Sequence, residues 1–424
     1  MNRIILIGNG FDLAHGLKTS YGDFIDWYWR EWKEYFLEYK HVPQDDILCS
    51  IDNKTSNRTD ISIIVDCFGN DIHKLKGYDF GKKLLSYDFD RNRLVIQPCA
   101  LFKEIHKAVE TKGWVDIENE YYNLLVGKNS YPVCNTKELN EQLMYLRKKL
   151  INYLNSINIE ENMQKKHIKD IIYAPISHRD IAVSNADKLV EHIHRELTCT
   201  DNELQMKAGL YKLDYTDFIQ LKGLRKNQDC SDDIIQTKIW ANQYPKEFFL
   251  PNEIMFLNFN YTNTAKLYLP TPKPGFTINH IHGELSNPES VIFGYGDEMD
   301  ENYKKLSDLN DNEYLKNFKS FKYSESDRYR KALQFMEAEP YQVYIMGHSC
   351  GNSDRTFLSH LFNHKNCVSI KPYYFIKEDG TDNYLDIVLN ISRNFTDMKL
   401  MRDRVVNKTY CEAFSDKKRN PSVE

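Results

Sequence analysis

RIILIGNGFDLAHGLKTSYGDF, residues 3–24, reads as strand, tight turn and helix in succession: a β-branched apolar run, Gly-Asn-Gly, then apolar and polar residues interleaved. A strand that ends in glycines brings backbone N–H groups and a helix start to the place where an anionic pyrophosphate can sit. The dinucleotide fingerprint G-x-G-x-x-G is incomplete, because Leu13 stands where its third glycine would be. No second strand with an acidic end follows within about 20 residues, as a ribose-binding unit of that type requires. Taken alone, the segment leaves two readings open, a nucleotide-binding turn and a plain glycine turn after a domain's first strand.

Outward from this opening, residues 25–250 read as mainly helical. FIDWYWREWKEYFLEYK (24–40), LFKEIHKAVE (101–110), WVDIENEYYNLL (114–125) and ELNEQLMYLRKKLINYL (138–154) repeat apolar residues at intervals of three and four. Short apolar runs return in IMFLNFN (254–260), INHIHG (278–283), SVIFGYG (290–296), QVYIMG (342–347) and VSIKPYYFI (368–376), with the amphipathic DRTFLSHLFNH (354–364) between the last two. Strands alternating with helices predict an α/β fold built on a parallel, Rossmann-type sheet. The expected organisation is discontinuous. Residues 1–24 plus 251–400 form a nucleotide-binding domain, 25–250 a large, mainly helical insertion, and 401–424 a C-terminal tail of which SDKKRNPSVE (415–424) frays. The charge-rich NFKSFKYSESDRYRK (317–331) reads as solvated surface.

Composition narrows the function. The 424 residues carry 56 Lys and Arg against 61 Asp and Glu, a net charge of −5, so a chain-wide basic footprint for nucleic acid is absent. No run of about 18 apolar residues predicts a membrane span. The apolar stretch before Gly8 is too short for a secretory signal. Nine cysteines, an odd number with no C-x-x-C spacing, argue against both a disulfide framework and a zinc ribbon. A cytoplasmic protein without a metal is expected.

Four segments carry candidate chemistry, each at the end of an apolar run where open α/β sheets bind ligands. The first is the Gly8–Gly10 turn with Asp12, which could reach a ribose hydroxyl or cap its own helix. The second is LNFNYTNT (257–264), where Asn260 offers an uncharged donor and acceptor for water or a sugar hydroxyl, and Thr262 or Asn263 would cap the next helix. The third is HIHG (280–283). His282 is the candidate general base, with room left by Gly283, and His280 a packed strand residue. The fourth is MGHSCGNSD (346–354), with Ser349 placed for phosphate or ribose and Asp354 at a helix start. Two pairs, His280 with His282 and His360 with His364, lack the further ligands a metal site would need.

These segments occur in the order and with the residue types of a sirtuin-like nucleotide-binding fold. Gly8 and Gly10 match the glycines of the sirtuin opening, Asp12 takes the place of its serine, and Gly16-Leu17 and Asp23-Phe24 match its later part. Asn260 falls on the asparagine of the Thr-Gln-Asn-Ile-Asp strand end, with Thr262 replacing the aspartate. His282-Gly283 matches the His-Gly pair and Gly347-His348-Ser349 the Gly-Thr-Ser. The opening, WVDIE (114–118) and the closing motifs together resemble the AbiH family of phage abortive-infection proteins.

The resemblance implies an anti-phage effector with NAD as substrate, hydrolysed at the nicotinamide–ribose bond. It assigns Asn260 and His282 to catalysis, and Gly8, Asn9, Gly10, Phe11, Asp12, Gly283, Gly347, His348, Ser349 and Asp354 to holding NAD. The missing cysteine module and the Thr262 replacement set the chain apart from sirtuin deacylases. An NAD- or ADP-ribose-binding sensor that acts through a partner without turnover is the alternative. Gating by a phage-derived trigger or an inhibitory homo-oligomer is expected, because a constantly active effector would be toxic. Glu118 reads either as a site residue or as helix surface.

Overall fold

A computed structural model describes residues 1–39, 46–53, 68–86, 94–112, 116–127, 135–225, 230–269, 275–295 and 298–419. Trp114, Val115 and Gly296, parts of segments singled out above, lie outside the described residues. By compactness the described residues divide into two units, one within 1–17, 159–291 and 322–419, the other within 18–158 and 292–321.

The strands are β1 (Asn2–Ile7), β2 (Cys49–Asn53), β3 (Leu94–Pro98), β4 (Ile254–Asn258), β5 (Phe276–His280), β6 (Tyr341–Met346), β7 (Cys367–Lys377) and β8 (Ala413–Arg419). Six of them form the sheet of the first unit in the order β5-β4-β1-β6-β7-β8, every neighbouring pair parallel. Renumbered by appearance in the chain, that order is 3-2-1-4-5-6, the strand order of the doubly wound dinucleotide-binding fold. Every residue of β1, β4 and β6 is buried, as expected of parallel strands covered on both faces.

Register explains the packing. Ile5 stands between Phe256 and Tyr344, and Ile7 is level with Met346 and, one strand further, Tyr373. These side chains share a core with Ile168, Ile171 and Ile172 of the helix Lys166–Ile172. A second core joins Met1 and Val368 to Leu189, Ile193 and Leu197 of the helix Ala186–Thr198 and to Ile235 and Ile239. The expected boundary at residue 250 therefore differs from the observed one. Residues 159–250 are a helical layer on the sheet rather than part of a separate insertion, because their apolar faces cover it. Arg3, fully buried in β1, ties that layer down: its guanidinium donates to the carbonyls of Ile172 (2.9 Å) and Ala174 (2.6 Å) and to Gln342 Oε1 (3.1 Å). It also lies 4.1 Å from the Tyr344 ring centre.

Three further expectations are corrected. The stretch from Val291 to Tyr295 is not a strand: its backbone donates to the Glu118 carboxylate from Gly294 and to the Asn317 carbonyl from Tyr295. The C-terminal residues 401–419 are not a frayed tail, and 420–424 lie outside the described residues. The helix Met398–Arg404 continues to β8, which pairs with β7 and sends Phe414 into the core beside Phe11. The 317–331 stretch is not simply solvated, since Asn317, Phe318, Lys319 and Tyr323 are buried.

The second unit combines the antiparallel pair β2–β3 with helices Tyr21–Tyr39, Gly77–Ser86, Ala100–Lys112, Ile117–Leu125 and Thr136–Asn155. Its core is aromatic. Tyr28, Trp29, Trp32 and Phe102 meet mostly edge to face, and Trp29 Nε1 donates to His106 Nε2 at 2.7 Å. Glu118 is neither on the surface nor exposed to solvent from its helix: Lys319 Nζ donates to its Oε2 at 2.8 Å, with both side chains buried. Removing one partner leaves the other charge buried. Lys319→Met is therefore expected to destabilise this unit by about 3–5 kcal/mol, read as a lowered urea midpoint.

Candidate active site at the C-terminal strand ends

The carboxyl ends of β1, β4, β5 and β6 bring their turns into one neighbourhood. At the point where strand order reverses, the β1 turn lies directly on the β6 turn. Gly10 N donates to Gly347 O (2.8 Å) and Phe11 N to Gly8 O (2.9 Å). A Cβ on Gly8 would come within 2.6 Å of His348 Cα, and one on Gly10 within 2.8 Å of Gly347 Cα. Gly347 combines a positive φ of 77° with a Cβ position that falls on the Phe11 amide. The glycines thus permit contact between two backbones. The Gly10 and Phe11 amides expected to face a pyrophosphate are already engaged within the protein. Asn9 is exposed at the start of the short helix Asn9–Ala14, and Ser349 is exposed at the tip of the β6 turn.

Asn260 stitches the β4 end to the same turn, its Nδ2 donating to Gly8 O at 3.0 Å and its backbone N to Asn258 Oδ1 at 3.0 Å. Thr262 does not cap the following 3₁₀ turn Thr264–Tyr268. Its hydroxyl donates instead to Asp12 Oδ2 at 2.5 Å, and Asn263 makes no side-chain cap. Asp12, 1% exposed, neither caps its helix nor lies open to a ligand, and its Oδ1 is buried without a hydrogen bond. Burial pushes its carboxyl up to about 6, against the opposing pull of hydroxyl and amide neighbours, Thr262 foremost.

β5 ends at His280, so His282 lies in the turn beyond it and not in strand alternation with His280. His280 is a packed residue as expected, its Nδ1 facing Asn258 Nδ2 at 3.2 Å. Gly283 turns the chain with φ 87°, and the space beside it is taken by the backbone of Ser290. His282 is 4% exposed. Its Nε2 lies 3.1 Å from Asp354 Oδ1 and 3.3 Å from the Tyr323 hydroxyl. Asp354 occupies the N-cap position of the helix Arg355–Asn363 but makes no cap bond, its carboxylate turning toward the histidines. Its other oxygen lies 3.5 Å from His348 Nε2. His348 Nδ1 accepts from Cys350 N at 2.9 Å, which assigns the proton of the neutral ring to Nε2. The Phe259 ring meets both imidazoles edge-on, at 4.9 Å from His282 and 4.5 Å from His348, and Tyr323 stacks on His282.

A histidine backed by a carboxylate can take a proton and have the resulting charge stabilised, the arrangement general-base catalysis uses. The residues the sequence singled out are thus joined by direct contacts: Gly8 to His348 and Asn260, and Asp354 to His282 and His348. Sequence reasoning missed Phe259 and Tyr323 as members of this cluster. The only available signal was their aromatic character in otherwise polar segments. Among the described residues no group of histidine, cysteine and carboxylate side chains is placed to hold a metal ion, and no helix is long and apolar enough to cross a membrane.

Two outcomes follow from this packing. A carboxyl whose folded-state value is raised favours folding below its unfolded value, and that contribution is lost as pH rises through about 6. Wild type should therefore lose stability relative to Asp12→Asn between pH 4 and pH 7, by up to about 3 kcal/mol, in paired urea titrations. Gly347→Ala combines left-handed backbone with a collision and should lower the thermal midpoint far more than Ser349→Ala on the exposed tip, in a melting comparison.

Residues 4–375 match the family described as bacteriophage abortive infection AbiH. No curated protein and no solved structure matches the chain. With the match running from β1 into β7, across every strand end that builds the site, the chain belongs to the AbiH family of bacteriophage abortive-infection proteins.

Proposed function

We propose that this AbiH protein acts in phage defence by hydrolysing NAD at the nicotinamide–ribose bond, with His282 as general base and Asn260 orienting ribose or water. The observation that carries the reading is the His282–Asp354 pair at 3.1 Å, set at the carboxyl ends of a parallel sheet with dinucleotide-fold strand order. The sirtuin-like order of the four segments supports the same substrate. The reaction asks little more of the site. Nicotinamide leaves as a neutral molecule from a cationic precursor, so no strong acid is needed, and the oxocarbenium-like state at C1′ requires an oriented water and a modest base. Burial of His282 supports a resting form that a trigger must open.

Purified full-length protein, alone and with lysate from phage-infected cells, should release nicotinamide and ADP-ribose from NAD. His282→Ala should lower turnover at least about 100-fold, measured at a temperature where both proteins remain folded, because truncating a buried ring beside Asp354 also lowers the melting temperature. Absence of product in every condition, infected lysate included, would overturn the reading. The burial of His282, which keeps water from the ring in this form, favours one alternative, a sensor that binds NAD or ADP-ribose without turnover. Calorimetry with recovery of intact ligand would establish that case.

A further inference from the structure

Resting on that reading, we infer that Asp354 is the positioning residue of the site, holding His282 as its Nε2–H tautomer so that Nδ1 is the basic nitrogen, with His348 as a second imidazole oriented on the same carboxylate. Three observations converge on it. Asp354 Oδ1 and Oδ2 divide between the two rings, at 3.1 Å from His282 Nε2 and 3.5 Å from His348 Nε2. The His348 tautomer is set from outside the trio, because Cys350 N–H donates to its Nδ1 and leaves Nε2–H to face the carboxylate. The aspartate side chain, placed where it could cap the helix Arg355–Asn363, leaves that cap unmade and turns to the histidines.

The trio is held rigidly. Asp354 and His348 come from the two ends of one short loop, closed by Cys350 in left-handed backbone at φ 56°. The Asn394 amide donates to the Cys350 carbonyl at 3.3 Å. Phe259 presses its ring against both imidazoles. A second polar group near His282 Nε2 is the Tyr323 hydroxyl at 3.3 Å, on the segment before the helix Arg328–Ala338. A carboxylate oxygen is the stronger acceptor and sits closer, so the ring proton belongs to Asp354.

In the hydrolytic step, water gives one proton to His282 Nδ1 while its oxygen bonds to C1′ of the ribose. The C1′–N bond breaks with its electron pair going to nicotinamide. The imidazolium that forms shares its Nε2–H with Asp354, and the second carboxylate oxygen remains occupied by His348. The proton is later released to solvent, so NAD and water give nicotinamide, ADP-ribose and one proton. Asp354 touches no reacting atom in this scheme. It acts through His282.

The test uses the full chain labelled with ¹⁵N-histidine, read by two-bond ¹H–¹⁵N spectra that report which ring nitrogen is protonated. His282→Gln assigns the signal. Wild type should show His282 as the Nε2–H tautomer. Asp354→Asn should shift it toward the Nδ1–H form or a mixture and lower the pH at which the ring protonates, whereas Tyr323→Phe should leave the tautomer as it was. An unchanged His282 tautomer in Asp354→Asn, or its loss in Tyr323→Phe alone, would overturn the inference. If Asp354→Asn fails to fold, His348→Gln and His348→Leu answer in its place, glutamine keeping a donor toward the carboxylate. Glutamine should then retain the His282 tautomer and leucine disturb it, and equal spectra from the two would again overturn the inference. These spectra do not depend on NAD turnover, so failure of the hydrolase reading shows separately, as absent product. Where turnover is present, Asp354→Asn should lower kcat by about 10²–10⁴-fold with little change in KM and move the acid limb of the pH profile downward. His348→Gln should recover more of kcat than His348→Leu.

Discussion

The contact between two backbone turns is the constraint on which the site depends. Where β1 and β6 run side by side, their following turns approach so closely that side chains are excluded at Gly8, Gly10 and Gly347. That approach sets the position of His348, and with it the loop that ends at Asp354. Asn260 then draws the β4 end onto the Gly8 carbonyl, and Asp354 reaches His282 beyond β5. Four strand ends far apart in the chain are thus tied together by the hydrogen-bonded contact of Gly10 with Gly347 and by the Asn260 and Asp354 links beside it.

Around this contact the protein buries polar groups and pairs most of them with each other. Arg3 spends its donors on the end of a covering helix, Thr262 serves Asp12, and Asn258 serves His280. In the second unit, Lys319 is buried against Glu118. Such pairs add little net stability compared with apolar packing of the same volume, but they penalise every arrangement that separates them. They specify which loop meets which strand, which is what a site assembled from loops requires.

The sheet and its strand ends were legible in the sequence because buried parallel strands leave unbroken apolar runs, as in β1, β4 and β6. The helices were legible where an apolar stripe was clear, as in Thr136–Asn155 and Arg355–Asn363. The misreadings share a cause. VIFGY (291–295) has the composition of a strand, but its amides go to Glu118 and to the Asn317 carbonyl, partners that no local pattern reveals. Residues 159–250 share their helical periodicity with the preceding segment, and periodicity does not say which surface a helix covers. Tyr323 lies among charges yet stacks on His282. Asp354 looked like a helix cap by position, and only the fold brings a histidine 72 positions earlier within its reach. Glycine was legible as a marker of the site. Its observed use, contact between protein backbones, differs from the contact with a ligand that the sequence suggested.

The strand order also governs how the protein comes into being. β1 emerges from the ribosome well before its partners, with β4 following about 250 residues later and β6 later still. At translation rates of about 5–20 residues per second, the strand that will lie at the middle of the sheet waits on the order of ten seconds or more with both edges unpaired. The last pieces of the site, His348 and Asp354, are made after Gly8, Asn260 and His282. A chain whose synthesis stops before residue 354 therefore lacks the carboxylate that joins His282 to His348, and the cluster cannot assemble.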